Sequence, residues 1–237
     1  MTEISIKAEE IAEIAGFKIT NSFLSALIVI LLFLFLSLKY FNDCRASKKG
    51  SFFYLVNFIL KNIYQLFYSV LGDKTDYFFP LLCSFFLFIL FQNWFGLLPG
   101  VGSILIGHVP LLRGANADLN TTLSLGLISV GLIQVFGIKF LGFKNYISKF
   151  INLTNPISFF TGILEIVSEF SKIISFSFRL FGNIFAGEVL LSIMAFLVPV
   201  LASFPFLLLE LFVGFIQALV FSMLTAVFLN LAISKAH

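Results

Sequence analysis

Arg179 lies in the run Ser175-Phe-Ser-Phe-Arg-Leu-Phe-Gly-Asn-Ile-Phe-Ala-Gly-Glu188, and no other charge occurs between Lys172 and Glu188. A guanidinium cannot deprotonate in a protein, so a partner or water must solvate it wherever it lies. The surrounding stretch, Ile173 to Pro205, is largely apolar. At the middle of a bilayer such a charge costs roughly 3 kcal/mol on insertion scales. A chain that keeps it there uses it, which makes Arg179 the first functional candidate.

Helical projection at about 100° per residue organises its neighbours. Ser175 and Asn183 lie about 40° to either side of Arg179, Lys172 about 20° away and Glu165 about 40° away, forming one stripe. Glu169 sits one turn from Glu165, toward the edge of that stripe, whereas Glu188 falls about 180° from the arginine. The acids on the two sides of Arg179 therefore face different ways, unlike the lining of one continuous pore. Further along, Glu210, Gly214 and Gln217 share a second stripe, and Gly214 allows a neighbouring helix to approach closely. Asp118 and Asn120, followed by Thr121 and Thr122, open another apolar segment.

Simpler roles compete for most of these side chains. Asp118 is well placed as a helix N-cap at the interface. Lys172 is long enough to snorkel to the headgroups, and Glu169 has that lysine three residues on as an ion-pair partner. Gln217 serves equally as a helix–helix hydrogen bond. For Arg179 the competing role is a structural ion pair, but the sequence offers no acid at its depth on its own face.

Composition sets the elements that must hold these groups. Hydrophobic residues make up 59% of the chain and charged residues 11%, with a mean hydropathy of +1.06. A soluble domain carries about 25% charged residues, so the chain reads as an all-α integral membrane protein. Its 34 phenylalanines act as apolar filler, and a net charge of +3 is too small to attract nucleic acid. Cys44 and Cys83 stand alone and the histidines are His108 and His237, so neither a metal site nor a cofactor is expected. The start of the chain sets Glu3, Glu9, Glu10 and Glu13 against Lys7 and Lys18. It lacks the basic start and cleavage site of a signal peptide, so the first apolar run reads as a retained span.

The sequence predicts spans over 22–40, 78–98 and 119–142 within a single membrane domain of residues 1–237. Lys39, Arg45, Lys48 and Lys49 put the loop after the first span in the cytoplasm, leaving residues 1–21 outside. The outer loop carries only Arg113, and Lys139, Lys144 and Lys149 cluster after the third span. Residues 51–71 interleave Tyr54, Asn57, Lys61, Asn62 and Gln65 with apolar positions, which predicts an amphipathic interfacial helix; a weak fourth span is the alternative. With Asn155 as a cap and Pro156 in the first turn, residues 156–198 read as helix. About 40 helical residues reach about 60 Å, twice the hydrocarbon thickness. Either a turn lies near Gly182–Gly187 or one long helix is steeply tilted. Pro199 and Pro205 bracket a turn, and 206–234 completes a C-terminal hairpin of two long tilted membrane helices.

Three segments resemble subunit a of F-type ATP synthases, in that family's order and spacing. They are the run from Arg179 to Glu188, the run Ala117-Asp-Leu-Asn-Thr-Thr-Leu-Ser124 and the run from Glu210 to Phe221. The arginine block is the most specific, and the resemblance covers most of residues 1–237. It implies a non-catalytic stator ion-channel subunit in a bacterial plasma membrane, or alternatively in an organelle inner membrane. The implied partners are the c-ring, the peripheral stalk subunit b and the lipid bilayer. Two offset half-channels would carry protons or sodium ions to and from the ring carboxylates, with Arg179 separating them. By position, Glu188, Glu210 and Gln217 match the outer half-channel and its surroundings, with Asn183 beside the arginine. Glu165 matches the inner half-channel, with Ser175 and Lys172 in the same stretch. Asp118 and Asn120 belong to a supporting segment, and Glu169 is an additional acid near the inner side.

The chain departs from the family in places. Ile173 follows the lysine where many members have proline, and some members have histidine at the position of Glu210 or Glu188. A secondary transporter binding an anion at Arg179 would usually show internal repeats and broken helices in both halves; no repeat is visible here, and the odd number of spans with one long hairpin argues against it. A purely structural scaffold has no use for a polar stripe flanked by acids.

Overall fold

The computed structural model describes residues 8–14, 17–46, 49–98, 100–101, 104–106, 109–150, 156–197 and 203–234. Strands β1 (Glu10–Ile14) and β2 (Phe17–Thr20) form an antiparallel hairpin, and α1 (Asn21–Arg45) begins directly after it. The Thr20 hydroxyl accepts from the Phe23 amide at 3.3 Å, satisfying one of the free donors of the first turn. Helices α2 (Ser51–Leu71) and α3 (Thr75–Phe95) meet at a tight turn over Gly72–Lys74. There Gly72 takes a φ of +56°, a left-handed conformation that glycine adopts without steric cost. A two-residue pairing, β3 (Leu105–Ile106) with β4 (Val109–Pro110), precedes α4 (Leu119–Leu141) and the short α5 (Phe143–Ile147). The long pair α6 (Pro156–Leu197) and α7 (Ser203–Ile233) follows.

The run of α2 with α3, and each of α1, α4, α6 and α7, is long and apolar enough to cross a membrane. The expected helices are all present, within a few residues of their expected ends. α6 runs unbroken through Gly182 and Gly187, so the alternative of a turn between them is set aside. A helical glycine costs about 1 kcal/mol relative to alanine, too little to break a helix that packs along its length. α2 buries Phe53, Ile63, Phe67 and Leu71 against the bundle while Asn57, Lys61, Asn62 and Gln65 face outward. The N-terminal hairpin was not expected within 1–21; its strands are only five and four residues long, and Lys18 Nζ meets Glu10 across them at 2.7 Å. The Asn155 cap, Pro199, His108 and His237 lie outside the described residues.

α3 packs along α7, and α4 lies across both α6 and α7. Phe78, Leu82, Ile89, Leu180, Phe221 and Leu229 fill the space between them. Lipid tails are as apolar as these side chains, so close backbone approach and polar ties carry much of helix association in a membrane. Ser129 and Thr225 hydroxyls bond at 2.9 Å between α4 and α7, and Asn230 donates to the Val70 carbonyl at 2.8 Å. Gly126 of α4 lies so close to α6 that a Cβ there would stand 2.5 Å from Ser177 Oγ and 3.1 Å from the Ile173 carbonyl.

Asp118 caps α4: its carboxylate accepts from the Asn120 amide at 3.2 Å and from Asn120 Nδ2 at 3.3 Å. Asp118→Ala is expected to destabilise the subunit by about 1 kcal/mol, while Asp118→Asn, which caps equally well, retains most of the stability. Thermal unfolding of the purified complex checks this, and equal loss in both variants would exclude a capping role.

Candidate functional site

Arg179 stands more than halfway along α6, on the face turned away from the bundle. Phe176, Ser177, Leu180, Phe181 and Ile184 form the opposite, buried face. The arginine donates to Ser175 Oγ one turn earlier at 3.1 Å. Among the described residues, no carboxylate lies within salt-bridge distance of it. The open face around it carries Ser171, Ser175, Gly182 and Ala186, small residues that let a second helix approach. Asn183 is half-buried beside it, one turn further on.

Polar groups gather toward the end of the bundle where α3 finishes and α4 begins. Residues 113–118 fold inward there and are buried. Irregular backbone at membrane depth is tolerated where protein covers it. Arg113 reaches α6 and donates from Nη2 to Glu188 Oε2 at 2.9 Å, with side-chain exposures of 7% and 37%. Asn116 donates to Asn93 Oδ1 at 2.6 Å, and Asn93 donates to the Gly214 carbonyl at 2.8 Å, linking this segment to α3 and α7. Glu210 is buried with its carboxyl against Gly187, where any Cβ would collide with it. Glu210 Oε1, Gln217 Nε2, Asn116 Oδ1 and both polar atoms of the Gln92 amide have no hydrogen-bond partner among the described residues. Buried polar atoms of this kind are ordinarily satisfied by ordered water.

The other end holds a second group. Lys172 pairs with Glu169 at 2.6 Å and lies over the Phe228 ring at 4.7 Å, so it does not snorkel outward. Gln134 Nε2 donates to the other oxygen of Glu169 at 2.7 Å, and the Tyr146 hydroxyl donates to Gln134 Oε1 at 2.5 Å. Burial, reinforced by the Glu169 and Glu165 carboxylates, pushes the Tyr146 phenol up to about 12. Tyr146 thus stays a neutral donor at ordinary pH, and this chain ties α4 and α5 to α6. Glu165 is exposed one turn before Glu169, on the Arg179 side of α6.

The structure therefore brings Glu188, Glu210, Gln217 and Asp118 toward one end, and Glu165, Glu169 and Lys172 toward the other. Asn120 is exposed at the start of α4. Residue reasoning had left Arg113, Gln92, Asn93, Asn116, Gln134 and Tyr146 without a role. The pair Gln92-Asn93 within an apolar run was a usable signal; the Arg113–Glu188 contact spans 75 positions and was not.

The family described as ATP synthase A chain matches residues 22–230. ATP synthase subunit a of Syntrophobacter fumaroxidans is 37% identical over 183 residues, covering 76% of this chain and 70% of that protein. The chloroplastic ATP synthase subunit a of Bigelowiella natans is 32% identical over 245 residues, covering 100% of this chain and 96% of that one. The subunit a of Moorella thermoacetica is 31% identical, covering 78% and 80%.

Proposed function

The chain belongs to the ATP synthase A chain family, and on that premise we propose that it is the stator ion-channel subunit of a rotary ATP synthase. The observation that carries this reading is Arg179: a permanent cation on the open face of α6, bonded to Ser175 and flanked by small residues. The open face takes the rotating c-ring. A ring carboxylate must be neutral to face lipid, by a proton or a bound sodium ion. Beside Arg179 the cation favours the charged form, so the ion leaves. Arg179 does not relay a proton, and ions cannot pass between the half-channels unless the ring turns.

The outer half-channel runs past Glu188, Glu210 and Gln217, where unpartnered polar atoms on α3 and α7 would be met by water. The inner one opens at Glu165, with Ser175 and Lys172 along its wall and Glu169 held by Lys172 and Gln134. The subunit does no covalent chemistry. The N-terminus lies outside a bacterial plasma membrane or on the corresponding side of an organelle membrane, and α1 with the peripheral stalk subunit b completes the stator.

The test is co-purification with a small c-type ring protein, followed by ATP synthesis in vesicles under a sodium gradient or a proton gradient. Synthesis under one of the two gradients is expected. A preparation that binds no ring protein would remove this reading. Glu169→Gln is expected to lower ion-driven synthesis only severalfold, since it loosens the tie of α5 to α6 without removing Glu165; complete loss would make Glu169 itself a channel group.

A further inference from the structure

Arg113 stands outside the roles assigned so far, yet it is among the most buried charges in the chain. Its backbone is held from α1: the Arg113 amide donates to Ser25 Oγ at 3.2 Å, and that hydroxyl donates to the Asn21 carbonyl at 3.1 Å. Asn21 Nδ2 also donates to the Pro110 carbonyl at 3.4 Å. Its side chain reaches in the other direction, to Glu188 on α6. We infer that Arg113 is a positioning residue for ion translocation, which holds the Glu188 carboxylate fixed in place at the outer pathway.

A desolvated guanidinium cannot neutralise itself, so it needs an acceptor beside it, and Glu188 supplies one at 2.9 Å. One oxygen of Glu188 is taken by Nη2, whereas the carboxyl of Glu210 on α7 lies against Gly187, the residue before Glu188 on α6. The two acids then differ. Glu188 is held by the arginine with side-chain exposure of 37%, while Glu210 is buried with Oε1 unpartnered among the described residues. The anchor on α1 also means that the register of the 113–118 segment sets the position of Glu188. Removing one member of such a pair strands the other, so losing the arginine should act on transport through the glutamate.

This inference rests on the ion-channel reading, and the test separates the two. ATP-driven ion pumping is measured in inverted membrane vesicles and divided by the amount of assembled complex, for Arg113→Gln, Glu188→Gln, the double variant and Arg113→Lys. Arg113→Gln and Glu188→Gln are each expected to lower pumping per complex by about tenfold. The double variant is expected to be no worse than the poorer single, because both changes break one unit. Arg113→Lys, which keeps the charge but not the fork, is expected to recover part of the loss. If Arg113→Gln does not assemble, Arg113→Lys alone, and with Glu188→Gln, gives the same comparison. Multiplied losses in the double variant, or unchanged pumping in Arg113→Gln, overturn the inference. Arg179→Ala in the same membranes reports on the underlying reading: pumping that survives there sinks the channel, whatever the Arg113 variants do.

Discussion

Arg179→Ala is expected to abolish coupled ATP synthesis, with activity falling below detection while the complex still assembles. Arg179 lies on the exposed face of α6, so truncating it leaves no cavity in the core formed by Phe176, Leu180 and Phe221. Folding should therefore survive, and the loss should be functional. Each elementary charge moved through 100 mV contributes about 2.3 kcal/mol to rotation, and that work is captured only if the ion cannot bypass the ring. In the proposed arrangement, without the cation nothing beside the ring favours the charged carboxylate. On the proposed reading nothing then separates the two half-channels, so passive leak should persist or rise as synthesis vanishes. Arg179→Lys is expected to remain severely impaired, since an ammonium can lose its proton in an apolar setting and lacks the planar fork. Vesicles with an imposed gradient, assayed for ATP formation and for passive flux, decide the matter. A variant with near-normal synthesis would falsify the separator role.

Much of this arrangement is legible from the chain. Apolar runs fix where helices lie because the bilayer demands continuous internal hydrogen bonding, and the helices observed end within a few residues of those runs. The angular separation of Glu165 and Glu188 about Arg179 follows from helical pitch alone, and on α6 one acid lies exposed while the other turns to Arg113. Pairings between distant segments were not legible. Arg113 looked like an ordinary loop charge because nothing local says that residues 113–118 fold into the bundle. Gln134 and Tyr146 are unremarkable on their own helices and gain meaning only where α4, α5 and α6 meet at Glu169. Two simple roles do appear where they were weighed: Asp118 caps α4, and Glu169 pairs with Lys172.

The contact that sets the position of Arg179 is itself exposed to test, through Gly126→Ala. A Cβ at this position would stand 2.5 Å from Ser177 Oγ and 3.1 Å from the Ile173 carbonyl. Ser177 can turn away only by giving up the bond of its hydroxyl to that same carbonyl at 2.8 Å, a loss of about 1 kcal/mol. The carbonyl is backbone in a packed helix, so α6 must give by a few tenths of an ångström there, and Arg179 lies two residues beyond Ser177. A displacement of about 1 Å at a reacting centre can cost about 10²-fold in rate. A shift of a few tenths of an ångström costs less than that, so Gly126→Ala is expected to cut ATP-driven pumping by up to about tenfold, with a smaller fall in assembly. Adding Ser177→Ala removes the nearer obstruction but not the carbonyl, so the double variant should recover only part of the activity. Full recovery would place the whole effect in one hydroxyl, and unchanged pumping in Gly126→Ala would show that the position of α6 on α4 does not govern Arg179. Gly131, five residues further along α4 with open space around it, is the control: Gly131→Ala should leave pumping intact, since a Cβ there meets nothing within 4 Å.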